Sequence, residues 1–307
     1  MDAILNRRLN STLGLAAILL WSTTVAFGRS LGEQLGPLTT AALIYLLGGA
    51  LGCGYLALSG KLPALRALPR RYLYGCGSLF VLYMASLYLG LGLADTREQV
   101  LQVGLLNYLW PTLTVLLSVP ILRLRAGPLL VPGALLATAG ILVATTQGQP
   151  LTWAAVSLAR GWSNPAQKSL PYLLGLSAAL SWAFYSTLSR RWASQAAGQA
   201  VPLFMLCTGL VLGAARLLSA KETHWTAHAG AELAYMVVGS NLAYAFWERA
   251  MRRGDIVLVA AASLFTPLLS TLVSTLYLGA RPGPRLWIGC ALVIAGAAIC
   301  KSSVHET

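Results

Sequence analysis

The chain reads as an all-α membrane protein of ten transmembrane helices, built from two inverted five-helix repeats with both termini in the cytoplasm. Three observations predict this. Of 307 residues, 57% are apolar and only 10% charged, whereas an ordinary soluble domain carries about 25% charged residues. Continuous apolar stretches run near residues 12–30, 37–59, 72–92, 99–120, 129–146, 171–190, 201–219, 231–250, 255–278 and 285–301, each close to the ~20 residues a bilayer helix requires. The first half of the chain then recurs in the second. Together these exclude a soluble enzyme, a disordered chain and a fibrous protein. A membrane β-barrel is excluded as well, because the stretches do not alternate apolar and polar residues with period two.

The first stretch follows Arg7 and Arg8, as the core of a leader peptide would, but its recurrence argues for a structural helix. Gly14, Leu15, Ala17, Leu19, Trp21 and Arg29 return 161 residues later as Gly175, Leu176, Ala178, Leu180, Trp182 and Arg190. At the same offset Gly48 and Gly52 become Gly209 and Gly213. For the fourth and fifth stretches the offset is 156, matching Pro111, Arg125, Gly127, Pro128, Gly133 and Gly140 to Pro267, Arg281, Gly283, Pro284, Gly289 and Gly296. Chance pairing of Leu/Ala/Gly-rich helices explains single matches but not runs at two fixed offsets. The expected units are therefore 1–150 and 151–307, joined within 147–170. Five helices is an odd number, so the second unit enters from the opposite side, the inverted repeat on which many secondary transporters are built.

Charge supports the orientation. With the N-terminus in the cytoplasm, 14 of the 22 Lys and Arg fall on the cytoplasmic side and 8 on the far side, the bias expected of an inner face. The net charge of +13 then reflects basic loops beside anionic headgroups and calls for no nucleic-acid partner.

Proline and polar side chains mark a candidate site. Pro111 and Pro267 lie inside the fourth and ninth stretches at equivalent repeat positions. Proline has no N–H to give and its ring clashes with the preceding turn. Both helices should therefore kink, leaving the carbonyls of Asn107 and Ser263 as candidate unpaired acceptors. Freed backbone is tolerated at membrane depth where it lines a cavity or is buried in protein. Two symmetry-related bends favour a central cavity over packing kinks. Asn107, Trp110 and Thr114 share one face of the fourth stretch, and Ser240, Asn241, Tyr244, Trp247 and Glu248 form a stripe on the eighth. Trp21, Tyr83, Trp182, Tyr185 and Ser263 are further candidates. An amide in hydrocarbon needs partners that lipid lacks, and deep Trp and Tyr lie away from their usual interfacial belt. The expected substrate-binding set is Trp21, Tyr83, Asn107, Trp110, Trp182, Tyr185, Asn241, Tyr244 and Ser263.

The segments GLAAILLWSTTVAFGRS (14–30), GLLNYLWPTLTVL (104–116) and SLFTPLLSTL (263–272) resemble the drug/metabolite transporter superfamily, of the EamA type, over essentially the whole chain. Asn107 to Pro111 is the most specific part. The resemblance implies a ten-helix, multi-pass exporter of the inner membrane that moves neutral and aromatic amino acids from cytoplasm to periplasm.

No carboxylate is expected mid-membrane: Glu98 and Glu248 are placed at helix ends, and Asp95, Glu232 and Asp255 in or beside loops. Intramembrane acids are the usual ion relays, so downhill transport is expected, insensitive to Glu248→Gln. His224, His228 and Glu232 recur every four residues but are read as a solvated loop, with no metal site. No phosphate loop, HExxH or nucleophile–base pair occurs, so neither an enzyme nor a cofactor is expected. Cys53, Cys76, Cys207, Cys290 and Cys300 are read as small apolar residues within helices, and the Asn10-Ser11-Thr12 acceptor falls on the cytoplasmic side. The glycine pairs permit close helix approach without saying whether within a monomer or between protomers; a monomer suffices. Two alternatives stay open: an exporter of another small metabolite or drug, proton-coupled, and a membrane enzyme acting on lipid.

Overall fold

The computed structural model describes residues 2–94, 103–104, 106–145, 169–193, 200–218, 223–278 and 283–305. Of the expected joint at 147–170, residues 147–168 lie outside the described residues, as do Asp95, Arg97, Glu98 and Arg281. Helices occupy the apolar stretches in order: α1 (Asp2–Leu35), α2 (Pro37–Leu58), a short α3 (Pro63–Arg66), and a π-turn (Arg71–Cys76) that runs into α4 (Gly77–Gly92). They continue as α5 (Trp110–Leu122), α6 (Leu130–Thr145), α7 (Leu170–Trp192), α8 (Val201–Leu217) and α9 (Ala227–Arg253). Last come α10 (Ile256–Ser263), α11 (Thr266–Leu278) and α12 (Pro284–Ser303). By length and composition, 5–35, 37–58 and 71–92 each qualify to cross a membrane, and 256–263 with 268–277, bent by 43°, meet the same requirement as a pair. The segments 110–122, 130–143, 201–217 and 287–300 are shorter apolar helices.

Local chemistry sets the boundaries. Proline occupies the first turn of α2, α5, α7, α8 and α12, where its missing N–H costs nothing. Thr226 caps α9 by accepting from Ala229 N at 3.0 Å, and Asp255 caps α10 through Leu258 N at 2.9 Å, each satisfying an otherwise orphaned donor. Gly36 separates α1 from α2 at φ 82°, a backbone that glycine adopts without Cβ strain.

Packing pairs the two halves of the chain. α2 lies on α8 and α6 on α12, each helix meeting its own repeat mate. α1 packs on α9, and its repeat image, α7 on α4, is present too; α5 on α7 is likewise mirrored by α11 on α1. Glycines make the self-paired contacts possible. A Cβ at Gly49 would meet the backbone of Leu206, one at Gly209 the backbone of Leu46, and one at Gly296 the backbone of Ala137 and Gly133. The glycine stripe of α2 and α8 is thus filled inside the chain, resolving the choice that spacing left open.

Polar contacts at the helix ends fall into two separate sets among the described residues. In one, Arg7 pairs with Asp255 at 3.4 Å, Arg249 donates to Asn10 Oδ1 at 2.8 Å, and Arg190 caps the carbonyl of Gly254 at 2.7 Å. The same end carries a small antiparallel pairing of β1 (Arg125–Ala126) with β2 (Val304–His305). In the other set, Arg216 donates to Thr39 at 2.6 Å, His224 N to the Gln34 carbonyl at 2.9 Å, and Thr226 to Gln34 Oε1 at 2.8 Å. α1 runs from the first set to the second and α9 from the second to the first.

Candidate functional site

Four helices and one helix start converge on a cluster of aromatic rings. α1 supplies Trp21, α4 supplies Phe80 and Tyr83, α7 supplies Trp182 and Tyr185, and α9 supplies Tyr244 and Trp247. Trp110 enters as the first residue of α5. The chain there does more than kink: residues 108–109 form a turn, Leu109 N reaches the Leu106 carbonyl at 3.2 Å, and α5 begins with Pro111 in its first turn. The repeat mate behaves alike, with a turn at 264–265 between α10 and α11 and Leu264 N bonded to the Ala261 carbonyl at 3.2 Å. The first break sets Trp110 in the aromatic cluster, whereas Leu264 and Phe265 of the second pack in a separate apolar cluster with Ile141 and Val293.

Trp21 stands at the middle. Its ring centroid lies 5.1 Å from Trp247, 5.4 Å from Tyr244, 5.5 Å from Trp182 and 6.3 Å from Trp110. Trp182 also contacts Tyr83 at 4.7 Å and Tyr185 at 5.1 Å. Trp110 meets Trp182 and Trp247 edge-on, at 83° and 85°, the arrangement in which the positive edge of one ring faces the negative face of another. Such a lining suits an apolar or aromatic guest.

Most polar tips here are already paired. Tyr45 and Tyr244 share a hydrogen bond of 2.7 Å, and Trp247 Nε1 donates to Ser186 Oγ at 3.1 Å. Two are not. Trp21 Nε1, a donor, and Asn107 Oδ1, an acceptor, are buried without a hydrogen-bond partner, although the Asn107 side chain engages Tyr83. Buried polar groups are normally satisfied, and one of each kind beside an aromatic cluster is the chemistry that a zwitterionic guest with an aromatic side chain would complete.

Of the expected site residues, the structure brings together Trp21, Tyr83, Trp110, Trp182, Tyr185 and Tyr244, with Asn107 adjoining. Two point elsewhere. Asn241 donates to the Val237 carbonyl at 2.8 Å and fills the groove over Gly48 and Gly52. Ser263 Oγ bonds back to the Ala260 carbonyl at 2.6 Å. Phe80 and Tyr45 were missed because an isolated aromatic in an apolar helix carries no periodic signal.

The placement of the acids needs correcting. Glu232 and Glu248 are not loop or end residues: both lie inside α9 and are buried, Glu248 completely. Tyr72 donates to Glu248 Oε1 at 2.6 Å, Tyr185 to Oε2 at 2.7 Å, and Arg252 pairs with Oε1 at 3.2 Å. Glu232 accepts from Tyr277 at 2.6 Å and Ser30 at 2.9 Å. His228, likewise, is on α9 and not in a loop, 3.3 Å from Glu232. The expected stretch 231–250 held both acids near its limits, and the helix extends beyond it at each end, from Ala227 to Arg253. Among the described residues no group of three or more His, Cys, Asp or Glu could hold a metal.

Apolar helices packed as two matching halves around a central aromatic cluster define a multi-pass membrane protein of the transporter class. The model of the EamA-like transporter family matches residues 10–146 and 169–300, and the chain belongs to that family. It is similar to the aromatic amino acid exporter YddG of Salmonella typhimurium, 34% identical over 94% of this chain and 95% of that protein. The YddG proteins of Escherichia coli and Ancylobacter novellus are 32% and 33% identical, each over 96% of this chain and 98% of theirs. A solved crystal structure matches with a TM-score of 0.78 at 28% identity, covering 96% of this chain and 98% of that one.

Proposed function

We propose that this protein exports neutral and aromatic amino acids from cytoplasm to periplasm across the inner membrane, by alternating access of two inverted five-helix halves, 1–150 and 151–307. The observation that carries the reading is the aromatic cluster with its unpaired donor on Trp21 and unpaired acceptor on Asn107. Aromatic walls recognise the side chain, and the two polar atoms recognise the carboxylate and ammonium that all amino acids share, which accounts for broad selectivity. The family and the named activity of the three relatives support the substrate class.

Ten crossings with both termini in the cytoplasm are supported by the end contacts. α1 runs from the set containing Asn10 to the Gln34 contacts of the other set and α9 runs back, and the basic residues Arg7, Arg190, Arg249 and Arg252 gather in the first. The exchange of packing partners between halves supports the inverted repeat. Filling of the glycine grooves within one chain supports a monomer.

Transport is downhill in this reading. A proton-coupled exporter of another metabolite would need an acid free to take and release its proton, and the buried Glu248 draws attention to that alternative. Its oxygens are, however, already engaged by two hydroxyl donors and a guanidinium. Counterflow of labelled phenylalanine into liposomes holding the purified protein, with no pH or sodium gradient, tests the proposal. Accumulation only under an imposed proton gradient would overturn the downhill mechanism, and no amino acid movement at all would overturn the function.

A further inference from the structure

Resting on the alternating-access reading above, we infer that the two buried acids of α9 are latches of opposite gates, Glu248 closing the cytoplasmic side and Glu232 the far side. They stand sixteen residues apart on one helix, about 24 Å at 1.5 Å per residue, with Tyr244 and Trp247 of the aromatic cluster on the turn next to Glu248. Each carboxylate ties a helix of the first half to helices of the second. Glu248 on α9 holds Tyr72, from the π-turn before α4, and Tyr185 of α7. Glu232 holds Ser30 and Gln34 of α1 and Tyr277 of α11. An opening that separates these helices at either end must part the contacts there.

The two sets differ in wrapping. Glu248 and Arg252 are shielded to 0% and 9% side-chain exposure, whereas His228 beside Glu232 is 66% exposed. Glu232 itself is only 2% exposed, so the difference lies in the basic side chain beside each carboxylate and not in the carboxylates. The inner latch is also joined to the site. Tyr185, which donates to Glu248, packs on Trp182 at 5.1 Å, so a guest that moves Trp182 disturbs the hydroxyl holding the inner gate. Both carboxylates are bonded here.

Cysteine reactivity tests this in the full chain reconstituted in liposomes. Cys76 is buried beside Glu248 and reports the inner gate. Met236→Cys, placed among the buried Leu31, Leu35 and Leu233, reports the outer one, with Cys53, Cys207, Cys290 and Cys300 replaced by Ser. Modification by a membrane-permeant maleimide is read at each site by mass spectrometry. Glu248→Gln should speed modification of Cys76 about tenfold, the population shift expected from losing one charge-assisted hydrogen bond, and leave position 236 unchanged. Glu232→Gln should do the reverse. Should either substitution unfold the protein, both sites would react, and Tyr72→Phe and Tyr277→Phe, each removing one hydroxyl, then decide between the gates. Equal effects at both sites in folded variants, or none at either, would overturn the latch assignment. Counterflow by the wild-type chain is measured in the same liposomes: normal counterflow with no latch response fails this inference alone, while absent counterflow fails the transport reading.

Discussion

Replacing Trp21 by Phe separates a binding role from a packing role. The indole N–H is buried and has no partner in the protein, so removing it breaks no internal hydrogen bond. An unsatisfied buried donor costs about 1–3 kcal/mol, and its loss offsets the smaller contact area of a phenyl ring, a near-conservative change worth about 1 kcal/mol. The net change in stability should therefore stay within about 1 kcal/mol, and four aromatic neighbours at 5.1–6.3 Å keep the new ring in place. Transport should respond more strongly. A substrate carboxylate accepting from that N–H is a charge-assisted bond of about 1.5–3 kcal/mol, which at about 1.4 kcal/mol per decade lowers apparent affinity roughly 10- to 100-fold. Concentration-dependent counterflow of phenylalanine, together with thermal unfolding in detergent, supplies both quantities. Unaltered apparent affinity in a stably folded Trp21→Phe protein would refute the assignment of the indole as a substrate donor.

Other outcomes follow from the same geometry. Trp110→Ala and Tyr244→Ala should reduce phenylalanine counterflow by at least about tenfold while the protein remains in the membrane, since aromatic pairing is worth about 0.5–1.5 kcal/mol per contact beyond burial; immunoblotting of membranes checks retention. Asn107→Leu should impair uptake of all amino acids alike, because it removes a contact to the shared backbone groups; equal transport by mutant and wild type would clear Asn107 of that role. Gly209→Val drives a side chain into the backbone of Leu46 and should cost about 1–3 kcal/mol, seen as a lowered unfolding temperature. Cysteines placed at Gly127 and Gly283, repeat mates at opposite ends of the halves, should label from opposite sides of the membrane, and labelling from one side would contradict the inverted repeat.

The sequence by itself determined the solvent this chain lives in, its helical content and its internal duplication. Those properties follow from quantities that add along the chain: apolar residues per stretch, charges per loop, and residue matches at a constant offset. The residue types for the site were legible in the same way, and Trp21, Trp110 and Trp182 stand out because deep tryptophans are uncommon away from the interface. Direction was not legible. In lipid the outside of a bundle is as apolar as its inside, so a membrane helix shows its depth in sequence but not which face meets its neighbours. Tertiary packing alone turned Asn241 into the glycine groove and Ser263 back onto its own helix, while gathering Phe80 and Tyr45 with the tryptophans. It also carried Glu248 into the interior, because an acid taken for a helix end has partners waiting in Tyr72, Tyr185 and Arg252, and two of those come from helices 176 and 63 residues away in the chain.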